Sequence, residues 1–135
     1  MVDASVVVKW AVNEVLSTEA RQLLVAEHDL IAPDILQIEA ANALLKKVRR
    51  RELTVASALH GIETYLGVLS FVPSIEAYEG AIALALASGC STYDGVYVVS
   101  GELVDCPLIT ADERLRRTLG RQYEDRVLML GNSLV

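Results

Sequence analysis

The chain has 135 residues, of which 53% are hydrophobic and 22% charged, and its formal net charge is −6. That length fits one domain, residues 1–135, large enough to bury roughly 68% of its unfolded surface, and the apolar content excludes intrinsic disorder. No apolar run reaches the ~18 residues of a membrane span, and the acidic balance excludes bulk electrostatic capture of nucleic acid while leaving room for a local basic patch.

In chain order, residues 1–2 read as a short strand and residues 5–12 as helical, with Trp10 expected in the core or at a dimer interface. Residues 17–27 form a helix with Ala20, Leu23 and Leu24 near one face, and residues 30–32 a second strand. Residues 35–51 form a longer helix. At 100° per residue, Ile38, Ala41, Leu44, Leu45 and Val48 gather on one side, with Glu39, Asn42, Ala43, Lys46 and Arg50 opposite. Residues 54–66 are a helix weakened by Gly61, residues 69–72 a strand, and residues 75–88 a helix closed by Gly89. A helix over 91–103, a strand at 108–109, a helix over 112–119 and a strand over 127–130 complete the series. Short, unalternated apolar strands separated by helices predict an α/β domain, a short parallel β-sheet wrapped by about seven α-helices.

Cys90 and Cys106 are too few for a disulfide framework and read as buried free thiols of a reducing cytosol. Asp3 lies where a secretory signal would need basic and apolar residues, so no secretory signal is expected. His28 and His60 lack partners at metal-ligand spacing, which weakens any histidine-based zinc site or Ser-His-Asp triad.

The acids fall at particular places. Asp3 and Asp112 each follow a strand and precede a helix, and Asp94 sits in the first turn of the helix that opens at Ser91. Each has a plain capping explanation. Asp3 could be an N-cap, and Ser91-x-x-Asp94 and Thr110-x-x-Glu113 read as capping boxes. Asp34 also reads as an N-cap. Capping and a site role are compatible, because ligand crevices of open α/β sheets lie beyond the carboxyl ends of the strands. Glu39 lies inside its helix, on a stripe that carries Lys46 roughly 10 Å and Arg50 roughly 16 Å further along the axis. That stripe is either a solvated face or a track for a phosphate backbone.

Four stretches resemble the acidic motifs of PIN-domain proteins, close to the VapC-type toxin branch, in order and over nearly the whole chain: Val2-Asp3-Ala4-Ser5, Ala32-Pro33-Asp34-Ile35-Leu36-Gln37-Ile38-Glu39, Ser91-Thr92-Tyr93-Asp94-Gly95-Val96-Tyr97 and Leu108-Ile109-Thr110-Ala111-Asp112. The resemblance implies a metal-dependent ribonuclease whose metal-activated water leaves 5′-phosphate and 3′-hydroxyl ends. Asp3, Glu39, Asp94 and Asp112 match the catalytic acids, supported by Ser5, Asn42 and Thr110. Asp3, Asp94 and Asp112 are the implied metal ligands, with Asp3 and Asp94 on the principal ion and Glu39 and Asp112 completing the shell directly or through water. Mg²⁺ or Mn²⁺, which prefer oxygen ligands, is the implied cofactor. The implied partners are RNA, a cognate VapB-type antitoxin and a second copy of the chain, in the cytoplasm and away from membranes. Two departures stand out: Gly95 replaces the usual Ala and is expected to loosen its helix start, and residues 1–2 are a short lead-in to Asp3.

An acidic domain that holds RNA needs local cations. Lys46, Lys47, Arg49, Arg50 and Arg51 form one basic run, and Arg114, Arg116, Arg117 and Arg121 another. Lys46, Arg50 and Arg114 are the expected RNA contacts, with solvated helix ends as the alternative. Tyr93 and Tyr97 are expected in the core rather than stacked on bases. A phosphoacceptor receiver domain is disfavoured, since residues 53–69 hold no Asp and no Lys follows Arg51. A housekeeping RNA-processing nuclease without antitoxin, or a non-catalytic interaction module of the same fold, stays open.

Overall fold

The computed structural model describes residues 1–132, so the last three positions of the expected 1–135 domain lie outside the described residues. Among the described residues, the strands β1 (Ile31–Pro33), β2 (Ser70–Val72), β3 (Leu108–Thr110) and β4 (Val127–Met129) are interleaved with seven α-helices. These are α1 (Ala4–Val7), α2 (Ser17–Val25), α3 (Leu36–Arg49), α4 (Val55–Val68), α5 (Tyr78–Ser88), α6 (Thr92–Leu103) and α7 (Glu113–Leu119). The expected helix-wrapped parallel α/β architecture is what forms.

β1 pairs in parallel with β2, and β3 with β4. Met1 and Val2 knit the two pairs together: Val2 N–H donates to Ile31 O at 2.9 Å, and Ile109 N–H donates to Met1 O at 2.8 Å. Val2 also bridges Ile109 in parallel. The spatial order is therefore β2, β1, the Met1–Val2 segment, β3, β4. The chain first winds outward on one side, then crosses to the other. Met1–Val2 sits at that reversal, and Asp3 leaves from its carboxyl end, where open sheets place their ligand crevices.

The core is aliphatic, as composition requires, with Val2, Val6, Leu36, Leu44, Leu108 and Val127 sealed from solvent alongside Tyr65 and Tyr97. Trp10 is buried within this core and donates its Nε1–H to Ala20 O at 2.9 Å. Cys90 and Cys106 are free and only partly buried. No single helix among the described residues is long and apolar enough to cross a membrane.

Several local expectations change in the tertiary structure. The helix over 5–12 is a single α-turn, Ala4–Val7, followed by a 3₁₀ turn, Val8–Trp10. On α3 the core row is Leu36, Ala40 and Leu44, while Ile38 is 70% and Leu45 42% exposed. The row is chosen by docking on α1 and α4, and Tyr65 OH pins it by donating to Gln37 O at 2.8 Å. Glu39 thus flanks the core face instead of opposing it. Gly61 is not a weak point of α4: a Cβ there would stand 2.8 Å from Ala11 Cβ, so the glycine admits the N-terminal turn. Gly95 is likewise a contact. Its missing Cβ would meet Ala81 O at 2.7 Å, and it lies buried in an unbroken α6 pressed against α5. Of the two tyrosines expected in the core, Tyr97 is buried but Tyr93 is 59% exposed, because Tyr93 precedes the first inward-facing residues of α6.

Candidate active site

Four helix starts meet beyond the carboxyl edge of the sheet. Asp3 is the N-cap of α1, Asp112 is the N-cap of α7, and Glu39 and Asp94 lie in the first turns of α3 and α6. Glu39, expected inside its helix, is therefore placed like the other three. Anionic side chains at helix N-termini are favoured by the unpaired N–H groups and the macrodipole.

Asp3 is the deepest. One of its oxygens accepts from Val6 N–H at 3.2 Å and from Ser5 Oγ at 2.5 Å, and the other accepts a short hydrogen bond from Thr110 Oγ1. Ser5 Oγ in turn accepts from Ala111 N–H at 2.9 Å, and Thr110 Oγ1 from Asp112 N–H at 3.0 Å. These two hydroxyls tie the start of α1 to the exit of β3. Burial pushes the Asp3 carboxyl up to about 6 against those hydrogen bonds, and the nearby Asp112 charge adds to the rise. Thr110 is not the α7 capping-box residue. It ends β3, and Asp112 caps α7 by accepting from Arg114 N–H at 2.9 Å and Leu115 N–H at 3.1 Å. Ser91 does cap α6, accepting from Asp94 N–H at 3.0 Å. Asp34 does not cap α3. Its carboxylate accepts from Ser74 N–H at 3.1 Å, tying the ends of β1 and β2, and that bonding with Ser74 holds it below the usual carboxylate range.

Glu39 is partly buried and accepts from Tyr97 OH at 3.0 Å. Burial raises its pKa, opposed by the Tyr97 bond and reinforced by the charges of Asp3 and Asp94. Burial likewise holds the Tyr97 phenol well above its usual range, so it is a fixed donor. Sequence reasoning missed this partnership. The available signal was the i+3 spacing of Tyr97 from Asp94, one helical turn on.

An open cleft of about 650 Å³ is lined by Glu39, Asn42, Asp94, Asp112 and Arg114 among others. A second, of about 400 Å³, shares Glu39 and Asn42 with it and is lined also by Ser5, Lys9, Glu14 and Lys46. Arg50, the C-cap of α3, lies outside both. Among the described residues, no three His, Cys, Asp or Glu side chains stand close enough to enclose a metal ion. The acids form a spaced set, with Asp3 beneath and Glu39, Asp94 and Asp112 on the cleft.

Residues 1–120 match the PIN domain. The chain belongs to the PIN-domain family. It is 31% identical over 118 residues to Ribonuclease VapC3 of Pyrobaculum aerophilum, spanning 85% of this chain and 90% of that protein. It is 32% identical over 120 residues to Ribonuclease VapC9 of Mycobacterium tuberculosis, spanning 87% of this chain and 89% of that one. The fold is shared with a crystal structure from Pyrobaculum aerophilum, at a TM-score of 0.69 and 21% identity over 96% of this chain and 87% of the other. The PIN-domain match contains all four acids and both hydroxyls that hold Asp3.

Proposed function

We propose that this PIN domain is a divalent-metal-dependent ribonuclease, the toxin of a VapBC-type pair acting in the cytoplasm. The observation that carries this reading is the meeting of Asp3, Glu39, Asp94 and Asp112 at four helix starts beside the sheet's reversal. The ribonuclease relatives support it.

The donor set fits a hard cation. It is all oxygen, and its charges repel: Asp112 raises Asp3, and Asp3 and Asp94 raise Glu39. A spaced set of carboxylates suits Mg²⁺, which keeps several waters, better than it suits an ion needing a closed protein cage. Asp3, Asp94 and Asp112 would hold it in part through its waters, since no three of the described acids stand close enough to enclose an ion directly, with Glu39 at the edge of the shell. When bound, the cation supplies charge stabilisation to the scissile phosphate and makes water at the site more acidic.

The chain's own residues then divide the work. Ser5 and Thr110 orient Asp3, and Asn42 offers an amide to the phosphate from between the two clefts. Tyr97 holds Glu39, whose raised pKa suits it to take the proton of the attacking water. Arg114 at one end and Lys46 at the other receive the flanking backbone. Cleavage should leave 5′-phosphate and 3′-hydroxyl ends.

The test is cleavage of a panel of structured RNAs by antitoxin-free protein with Mg²⁺, with Mn²⁺ and with EDTA. Metal-dependent cutting that Asp94→Asn abolishes is expected. Cutting that survives EDTA, or 2′,3′-cyclic ends, would sink the mechanism.

Two smaller effects follow. Tyr97→Phe removes the bond that lowers the Glu39 pKa, so the acid limb of the rate profile should move to higher pH. An unmoved acid limb would show that the hydroxyl does not act through Glu39. Arg114→Glu should weaken RNA binding at every sequence and flatten the salt dependence by about 0.7 per lost contact. Arg50→Glu, outside both clefts, should do less, and equal losses would extend the RNA track along all of α3.

Apolar surface supports the protein partners. Val55, Leu59 and Leu66 form an exposed stripe on α4 with spacing suited to a partner helix. Tyr78, Ile82 and Tyr93 surround a separate apolar groove of about 260 Å³, which supports a second copy there. Ile82→Glu should turn a dimer into a monomer by light scattering, and an unchanged mass would move the dimer contact elsewhere.

A further inference from the structure

Beside the acidic cleft, one carboxylate joins two lysines. Glu14 Oε1 accepts from Lys9 Nζ at 2.9 Å, and Glu14 Oε2 accepts from Lys47 Nζ at 2.9 Å. We propose that Lys9 and Lys47 form a phosphodiester-binding subsite for the RNA backbone, which Glu14 fills in the free protein and leaves when RNA enters. The inference rests on the ribonuclease reading and deepens it.

The geometry is that of an anion held by both oxygens between two ammonium groups, which the two non-bridging oxygens of a phosphodiester can reproduce. Lysine serves such sites as a point charge. The three members differ in how firmly they are held. Lys9 lies on the 3₁₀ turn Val8–Trp10 and Lys47 on α3, with side chains only 15% and 18% exposed. Glu14 sits on the connection between that turn and α2, and its side chain is 35% exposed. The connection closes at Leu16 with φ 68°, a left-handed conformation unfavourable for leucine. The Glu14 backbone is held, its N–H donating to Ser17 Oγ at 3.0 Å, so its more exposed carboxylate leaves by side-chain rotation while both cations stay. Partly exposed ion pairs contribute little and are readily exchanged.

Position ties Lys9 to the chemistry directly and Lys47 to it through their shared partner Glu14. Lys9, Glu14 and Lys46 line the cleft that shares Glu39 and Asn42 with the acidic one. A backbone lying across the acids continues directly onto this group. With Glu14 displaced, Lys9 and Lys46 stay on the cleft they share with Glu39, and Lys47 keeps Glu52 at 3.6 Å.

The experiment is a double-mutant cycle, read by anisotropy of a fluorescein-labelled oligouridylate of about 20 nucleotides in EDTA, over a range of salt. Glu14→Gln should tighten binding about fivefold by removing the internal competitor, and Lys9→Gln with Lys47→Gln should weaken it about tenfold and flatten the salt slope by about 1.4. In the double-lysine background, Glu14→Gln should change nothing. An equal gain in both backgrounds would make Glu14 a general repulsive charge and overturn the subsite, as would a wild-type slope in the lysine variant. Lys9→Arg with Lys47→Arg guards against misfolding, since it keeps both cations and should keep the slope. Wild-type protein that binds the oligomer while the cycle proves additive removes the subsite alone. Absence of any salt-dependent binding removes the RNA reading with it.

Discussion

Asp3→Asn should abolish RNA cleavage and at the same time make the metal-free protein more stable at pH 7. The loss of activity should be on the order of 100-fold or more, the scale on which one preorganised charge-stabilising group acts. The gain in stability comes from burial. Asp3 is 6% exposed, and its carboxyl is pushed from 3.8 to about 6. The folded state therefore holds this proton more tightly than the unfolded chain does. Its contribution is fully present below about pH 4 and is lost as pH rises through about 6. At pH 7 the ionised buried form costs up to about 3 kcal/mol at ~1.36 kcal/mol per unit. Asparagine carries no such cost, but its NH₂ cannot accept one of the two hydroxyl bonds that Ser5 and Thr110 make, so a net gain of about 1–2 kcal/mol is expected. Thermal melts of both proteins from pH 4 to 8 measure it: the wild type should fall relative to the variant as pH rises, and the two should run parallel above pH 7. A variant less stable than wild type at pH 7 would show that the hydrogen bonds outweigh burial. Mg²⁺ should raise the melting temperature of wild type and leave the variant nearly unmoved.

Gly95→Ala should destabilise the fold, against the helix-propensity gain of about 1 kcal/mol that alanine brings to an exposed helix interior. The new Cβ would stand 2.7 Å from Ala81 O and 3.0 Å from Ala81 Cα. Both are backbone atoms, so no rotamer change relieves the contact and α5 and α6 must separate. Overpacking of this kind costs about 1–3 kcal/mol. Asp94 is the preceding residue, so the same separation should shift it and lower cleavage. Urea denaturation reads the first effect and the turnover rate the second. Stability equal to or above wild type would mean that the helix pair yields easily and that Gly95 is only a helix-start feature.

Gly95 also marks a limit of sequence reading. A glycine in the first turn of a helix looks like a flexible start, and only the neighbouring helix reveals it as a contact. The same holds on α3, where periodicity pointed to Ile38, Ala41, Leu44, Leu45 and Val48 and docking on α1 and α4 chose Leu36, Ala40 and Leu44 instead. Asp3, Asp94 and Asp112 were legible as site candidates because strand–helix junctions and helix starts are local patterns. Glu39 stood out through its charged stripe and its motif but not as a helix-start acid, since a one-residue difference in where α3 begins decides whether it lies inside the helix or in its first turn.

By itself the sequence determined the order of strands and helices, the aliphatic core, the four acids and the family resemblance. All of these follow from local composition, periodicity and motif spacing. The tertiary structure alone decided that Asp3 is buried and proton-hungry, that Tyr97 holds Glu39 across 58 positions, and that Glu14 meets Lys47 across 33. Desolvation and hydrogen bonding depend on distances through space, and a chain that adds strands first on one side of Met1–Val2 and then on the other sets those distances independently of separation along the sequence.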